Sequence, residues 1–148
     1  MYLATVIDLY LRKFAGFAIA DHMRSSLVIE ALDHANTVRG GLDGAIFRSD
    51  HGSVCTSAAF SIRCQEFGVI EFMGVIGTSA DNALAGSCNS TVKTEVLRNR
   101  KVFANPLLCW RGVFRWCIRC KTQRRHFWCG QISPDVFEAQ SIALTKAA

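Results

Sequence analysis

Between Arg98 and His126 the chain has no aspartate or glutamate, while Arg98, Arg100, Lys101, Arg111, Arg115, Arg119, Lys121, Arg124 and Arg125 all fall inside that stretch. An uncompensated cationic segment disfavours a basic partner and favours an anionic one. Long apolar runs are also missing. The apolar stretches are short and broken by charges, which excludes a transmembrane helix at the sequence level. The N-terminal segment carries Asp8 inside its apolar run and its basic residues after it, the reverse of a secretory leader. There are no internal repeats, no linker-like stretches and no low-complexity segments. A cytosolic address and no membrane partner are expected.

What is present suits a globular domain. The chain has 148 residues, half of them hydrophobic and a fifth charged, enough to bury a sizeable core. The formal net charge is +5 and the sequence pI is about 9.0, which makes nucleic acid the default anionic partner. Seven cysteines, at positions 55, 64, 88, 109, 117, 120 and 129, form an odd set without a secreted framework, so reduced thiols are expected.

Along the chain, the β-branched apolar run Tyr2–Leu9 predicts a strand, Leu11-Arg12-Lys13 a turn, and Phe14–Ala20 the return strand of a hairpin. Ser25 or Ser26 is positioned to cap a helix with Leu27, Ala31 and Ala35 on one face, ended by Gly40-Gly41. A short buried strand, Ala45–Phe47, runs towards Asp50. Thr56 is read as the cap of a helix through Phe60, Cys64 and Phe67, and Val69–Phe72 is the next strand. Ser79 is the expected N-cap of a helix whose core face holds Leu84, Cys88, Val92 and Val96, with Asn82, Gly86, Asn89, Ser90 and Lys93 on a polar face. Asn105-Pro106 opens a further helix, with Trp110, Phe114 and Cys117 read as its apolar face and Arg111, Arg115 and Arg119 as a basic stripe. After a basic connector, residues 121–126, Ser133-Pro134 starts a last short helix containing Val136 and Phe137. The order β-β-α-β-α-β-α-α is an α/β pattern with one hairpin.

Two motifs carry the chemistry: Phe47-Arg48-Ser49-Asp50-His51-Gly52, and downstream Asp81-Asn82-Ala83-Leu84-Ala85-Gly86-Ser87-Cys88-Asn89-Ser90-Thr91-Val92-Lys93-Thr94-Glu95. They resemble the integrase-type catalytic core of bacterial insertion-sequence transposases, in the retroviral integrase superfamily. That family ends a strand with S-D-x-G and presents D-N-x-x-x-E-S-F-N-x-x-x-K-x-E on a helix, its second catalytic Asp and its Glu separated by thirty-five residues. Thirty-five residues lie between Asp50 and Gly86 here, so the frame is kept and the acid is a glycine. The resemblance runs from Tyr2 to about Phe137. It implies an α/β, ribonuclease-H-like fold, with a core over residues 1–140 and a tail over 141–148.

The family's reaction uses three carboxylates to hold Mg2+ or Mn2+, which activate a water or 3′-hydroxyl for in-line attack at phosphorus. Tyr2–Arg12 matches the family's second strand, Y-L-A-x-V-x-D-L-Y-S-R. On that reading the first, central strand with its W-x-x-D-I-T-Y segment is absent, and Asp8 matches a non-catalytic position. Asp50 is the one remnant catalytic and metal-binding acid. Glu95 cannot replace the missing Glu, because nine residues at about 100° each place it opposite position 86. Asp81, in the first turn, is explained by the helix dipole. Further departures are Val54-Cys55, Cys88 and Cys120-Lys121 in place of family Q-Y, Phe and Y-N.

The resemblance places DNA contacts at Asn82, Asn89, Lys93, Arg124, Arg125 and His126, the last three in the family's Y-N-x-x-R-x-H segment. Gly130, Ser133, Pro134 and Phe137 match its L-G-x-x-S-P-x-x-F tail. The bland alternatives are a solvated loop Asp, a solubilising basic turn, and a solvated loop His at position 51. Cys117-x-x-Cys120 with His126 and Cys129 has ligand types that suit zinc, but the spacing does not fit a knuckle. Three functions are open. They are a catalytically dead transposase or integrase core, a DNA- or partner-binding remnant that modulates an intact transposase, and a weak nuclease using Asp50 with a non-family acid. The expected partners are DNA, a further copy of the chain or an intact transposase, in the bacterial cytoplasm and at the nucleoid when bound to DNA.

Overall fold

The computed structural model describes residues 1–49, 55–72, 79–98 and 105–147. Nine elements follow in chain order: β1 (Tyr2–Asp8), β2 (Lys13–Ala20), α1 (Ser25–Arg39), β3 (Ile46–Arg48), α2 (Ala58–Glu66), β4 (Ile70–Phe72), α3 (Ser79–Leu97), α4 (Pro106–Thr122) and α5 (Pro134–Ala147). They fall into two compact units. One holds Met1–Val6 and Ala15–Leu84, the other Ile7–Phe14 and Ala85–Ala148.

In the first unit, β2 is buried over five consecutive residues, Phe14 to Ala18. Gly16 explains how close β2 comes to α1: a Cβ at this position would overlap the carbonyl oxygen of Ala31 and crowd Ala35. Alanine at 31 and 35, both fully buried, completes the close approach. Leu27 and Ala31 of α1 pack with Ala18, Ala4, Val6 and Ala20 of the β1–β2 pair. Further along the helix, Leu32 joins Phe60, Cys64 and Val69 in a second cluster with Val28, Leu42, Phe47 and Phe67 around it. Burial of Phe60 and Leu32 contributes roughly 1.5–3 kcal/mol each. Gly40 ends α1 in the left-handed region, φ 70°, where its N–H and that of Gly41 reach the carbonyls of Thr37 and Asn36.

β3 and β4 are parallel, with Ile46 opposite Ile70 and Arg48 opposite Phe72, and α2 is their crossover. Among the described residues the strands form two two-stranded sheets, β1–β2 and β3–β4, and no ladder joins them.

The second unit gathers α3, α4, α5 and the tip of the first strand pair. Asp8 shapes that tip by accepting the N–H groups of Tyr10 (3.0 Å) and Leu11 (2.9 Å), an Asx turn. Lys13 then bridges Asp135 (2.5 Å) and Glu138 (2.6 Å) of α5. Burial alone would lower the pKa of Lys13, but hydrogen bonding and attraction to those two carboxylates outweigh it and hold the pKa raised. Phe14 packs edge-on to Trp116 of α4 with ring centroids 5.0 Å apart.

Four local expectations are corrected. Ser57, not Thr56, caps α2, its hydroxyl accepting Phe60 N–H at 3.3 Å. Ser25 is already the first residue of α1, and Arg24 stands at its N-cap without a side-chain hydrogen bond. The buried face of α4 is Cys109, Val113, Trp116, Cys117 and Cys120. Trp110 and Phe114 are exposed instead and stack on each other, centroids 5.1 Å apart and planes within 7°. The large Trp116 sets the inward direction, and its i−3, i−7, i+1 and i+4 neighbours follow it. Finally, the last helix is not short: α5 carries residues 141–147 as helix. Asn105 does cap α4, accepting Leu107 N–H at 2.8 Å.

Candidate functional site

The polar face of α3 forms as its spacing predicts. Gly86, Asn89 and Lys93 recur at i, i+3 and i+7, and all three are exposed. Val92 turns inward and is buried. Among the described residues, a Cβ added at position 86 would meet no heavy atom within 4 Å outside the helix's own backbone. The helix therefore carries no side chain at this exposed position. Asp50 lies outside the described residues, as does the side chain of Asn82.

Glu95 faces the other way and is fully engaged. One carboxylate oxygen accepts the indole N–H of Trp116 at 2.8 Å, and the other pairs with Arg124 at 3.1 Å. Arg124 also approaches the Cys120 sulfur at 3.9 Å. Glu95 thus ties α3 to α4 and to the segment after α4, as a structural carboxylate. Replacing it by alanine should lower unfolding stability by about 1–2 kcal/mol, mostly through the orphaned Trp116 N–H, because a half-exposed ion pair adds little. Glu95→Gln should recover most of the loss. Equilibrium urea denaturation measures both.

The connector places Arg124, Arg125 and His126 in different environments. Arg125 is exposed. Arg124 is half-buried and committed to Glu95. His126 is fixed by its backbone, whose N–H donates to Ile132 O at 3.1 Å. Its Nε2 is buried with no hydrogen-bond partner among the described residues. Burial first, then the positive Arg124 and Arg12, push its pKa below the ordinary histidine value. A neutral, half-buried imidazole is a poor phosphate contact, which leaves Lys93 and Arg125 as the exposed cations among the expected site residues. Sequence reading did not single out the role of Glu95 or the exposure of Phe127, 88 % accessible at a turn tip. The family's K-x-E spacing was the available signal for the first.

Cys64, Cys109, Cys117, Cys120 and Cys129 are buried thiols, and Cys55 and Cys88 are partly buried. Cys117 and Cys120 line the buried face of α4, and burial, reinforced by Cys120 and Cys88, pushes the Cys117 thiol up to about 12. Cys129 is buried and donates to Leu11 O at 3.6 Å. Among the described residues no three His, Cys, Asp or Glu side chains converge on a point that could hold a metal ion. At position 86 glycine offers no side-chain oxygen. The donor set among the described residues does not fit a three-carboxylate divalent site.

An α/β fold with a parallel β-α-β unit, and an α3 that carries an exposed G-x-x-N-x-x-x-K face, define the class of the protein. Residues 1–79 match the family model "Integrase core domain", and the chain belongs to that family. It is 34% identical over 143 residues to a protein of insertion sequence element IS986/IS6110 in Mycobacterium tuberculosis (strain ATCC 25618 / H37Rv), which covers 93% of this chain and 51% of that protein. It is 30% identical over 145 residues, 97% of this chain and 50% of the relative, to transposase InsF for insertion sequence IS3fB of Escherichia coli (strain K12). The chain spans about half the length of the curated relatives it matches. Among solved structures, the catalytic core domain of BIV integrase superposes with a TM-score of 0.71 at 9% identity, covering 97% of this chain and 89% of that one. The simian T-cell lymphotropic virus intasome, in complex with PP2A regulatory subunit B56 gamma, gives a TM-score of 0.70 at 15% identity, covering 89% and 46%. These two likenesses establish the ribonuclease-H-like, integrase-core fold. No helix among the described residues is long and apolar enough to cross a membrane.

Proposed function

We propose that the chain is a DNA-binding integrase core that does not perform strand transfer. The observation that carries this reading is Gly86. It stands at the exposed α3 position where the family motif has its Glu, and it leaves the remnant Asp50 without that partner. DNA is the nucleic-acid partner, in the bacterial cytoplasm, transposon ends being the target of the family. A second copy of the chain or an intact transposase is the protein partner. Descent from a metal-dependent DNA strand transferase explains the frame of the motifs, and Mg2+ or Mn2+ is the ion the family would use. The second reading, a remnant that modulates an intact transposase, is favoured by the same exposed cations, since binding to transposon ends needs no chemistry.

Binding should be weak, insensitive to sequence and steeply salt-dependent, because it rests on phosphate contacts. With three phosphates neutralised, by Lys93, Arg125 and one further cation, raising salt from 50 to 200 mM should weaken binding by roughly 40-fold. Lys93→Ala should reduce the slope of log K against log salt by about one. Fluorescence anisotropy with a labelled duplex measures both. Sequence-selective binding that ignores salt would overturn the reading.

A further inference from the structure

The segment that follows α4 folds into a tight, hydrogen-bonded turn. His126 and Ile132 form an isolated antiparallel bridge. Cys129 N–H and Gln131 N–H both return to His126 O, at 3.1 and 2.9 Å, and Gly130 N–H bonds Phe127 O at 3.0 Å. Gly130 and Gln131 take left-handed φ values of 68° and 66°. Cys129, 1 % exposed, pins the turn from beneath. The indole N–H of Trp128 donates to Tyr10 O at 2.9 Å, and Arg12 sits over the Trp128 ring, 5.2 Å from its centroid.

This scaffold holds two aromatic rings in the solvent. Phe127 is 88 % exposed and Trp128 58 %. Phe127 has no packing role that would explain a large apolar side chain at this place. Two adjacent rings in the solvent form a patch and not a scattered single residue, and exposed apolar patches with a polar rim mark contact sites. The surrounding charge is cationic. Arg125 is exposed immediately before the turn, and Arg12 lies over its second ring. Asp135 and Glu138 are drawn off by Lys13, and Glu95 by Arg124. Flat rings beside guanidinium groups suit a polyanion with flat, unpaired bases.

We infer that the 126–132 turn is a stacking contact for an unpaired base of single-stranded DNA, with Phe127 under the base and Arg125 and Arg12 on the flanking phosphates. A duplex hides the faces of its bases, so this contact selects single strands or frayed ends over intact duplex. The inference rests on the nucleic-acid reading above, and adds to it a strand preference that Lys93 and Arg125 alone would not give.

The test uses the full chain, fused to a solubility partner, and labelled oligonucleotides of 20 residues: oligo-dT, an abasic strand of equal charge, and a duplex. Wild type is expected to bind oligo-dT more tightly than the abasic strand. Phe127→Ala should weaken oligo-dT binding by about tenfold, within the range of one base–aromatic stack, and leave the abasic strand and the duplex unchanged. Phe127→Leu should fail in the same way, and Phe127→Trp should restore binding. At 88 % exposure the side chain supports no folding contact that these changes could disturb. Equal binding of oligo-dT by wild type and Phe127→Ala overturns the stacking contact. So does a Phe127→Ala variant whose only change is loss of self-association, which would make the turn an interface between copies. No binding of any of the three oligonucleotides overturns the broader nucleic-acid reading instead.

Discussion

Strand transfer by this chain is expected to stay at the no-protein background, and to stay there even when a first strand bearing the family's first aspartate is fused ahead of Tyr2. Gly86→Glu alone should also do nothing. Only the fused strand and Gly86→Glu together should raise joining of labelled transposon ends, by at least about a hundredfold, since even an outer partner of a metal ligand is worth 10–100-fold. The physical reason is electrostatic. Two divalent cations held close together require converging negative charge, and glycine supplies none. The substitution itself introduces no clash at its Cβ. A Cβ at position 86 meets nothing within 4 Å among the described residues. Replacing a helical glycine also stabilises the helix, by about 1 kcal/mol for alanine and somewhat less for glutamate. Metal-dependent joining by the fused protein with Gly86 intact, abolished by Asp50→Ala, would show that a non-family acid completes the site.

The family frame was legible because it is local in sequence. The α3 spacing of Gly86, Asn89 and Lys93 needs only the helix period to be read, whereas S-D-x-G and the thirty-five-residue interval rest on the resemblance. The core of α1 was legible for the same reason, as Leu27, Ala31 and Ala35 recur at i+4 and all are buried. What was not legible depends on which of two apolar faces wins. In α4, Trp110, Phe114 and Cys117 compete with Cys109, Val113, Trp116 and Cys120, and both sets have helical spacing. The choice falls to Trp116 because a distant residue, Phe14, packs on its ring and Glu95 accepts its N–H. The engagement of Arg124 and the neutral burial of His126 are similarly non-local, since each depends on residues far away in the chain. The motif could therefore nominate three basic contacts and not tell that only Arg125 stands exposed.

On its own at tens of micromolar, the chain is expected to self-associate, and an added strand peptide should reverse this. The argument starts from the sheet. Among the described residues β1–β2 and β3–β4 are separate two-stranded ladders, and an isolated pair of strands is marginal in water. β3 and β4 have three residues each. Ile46, Ile70 and Phe72 in them are more than half exposed. Apolar strands with open edges are templates for pairing with other chains. A strand set between the ladders would add about five backbone bonds worth about 1 kcal/mol each, a large share of the ~5–15 kcal/mol that stabilises a typical domain. A ten-residue peptide with the family's W-x-x-D-I-T-Y pattern is the probe, since an extended segment can add to a sheet edge through its main chain. Saturated with it, the chain should elute as a single soluble species in light-scattering chromatography, and its thermal midpoint should rise by about 10–20 °C, at 2–4 °C per kcal/mol for a domain of this size. A scrambled peptide should do neither. A soluble monomer with a cooperative thermal transition that ignores the peptide would defeat the prediction, and would mean that Tyr2–Asp8 and Ile46–Arg48 close on each other directly.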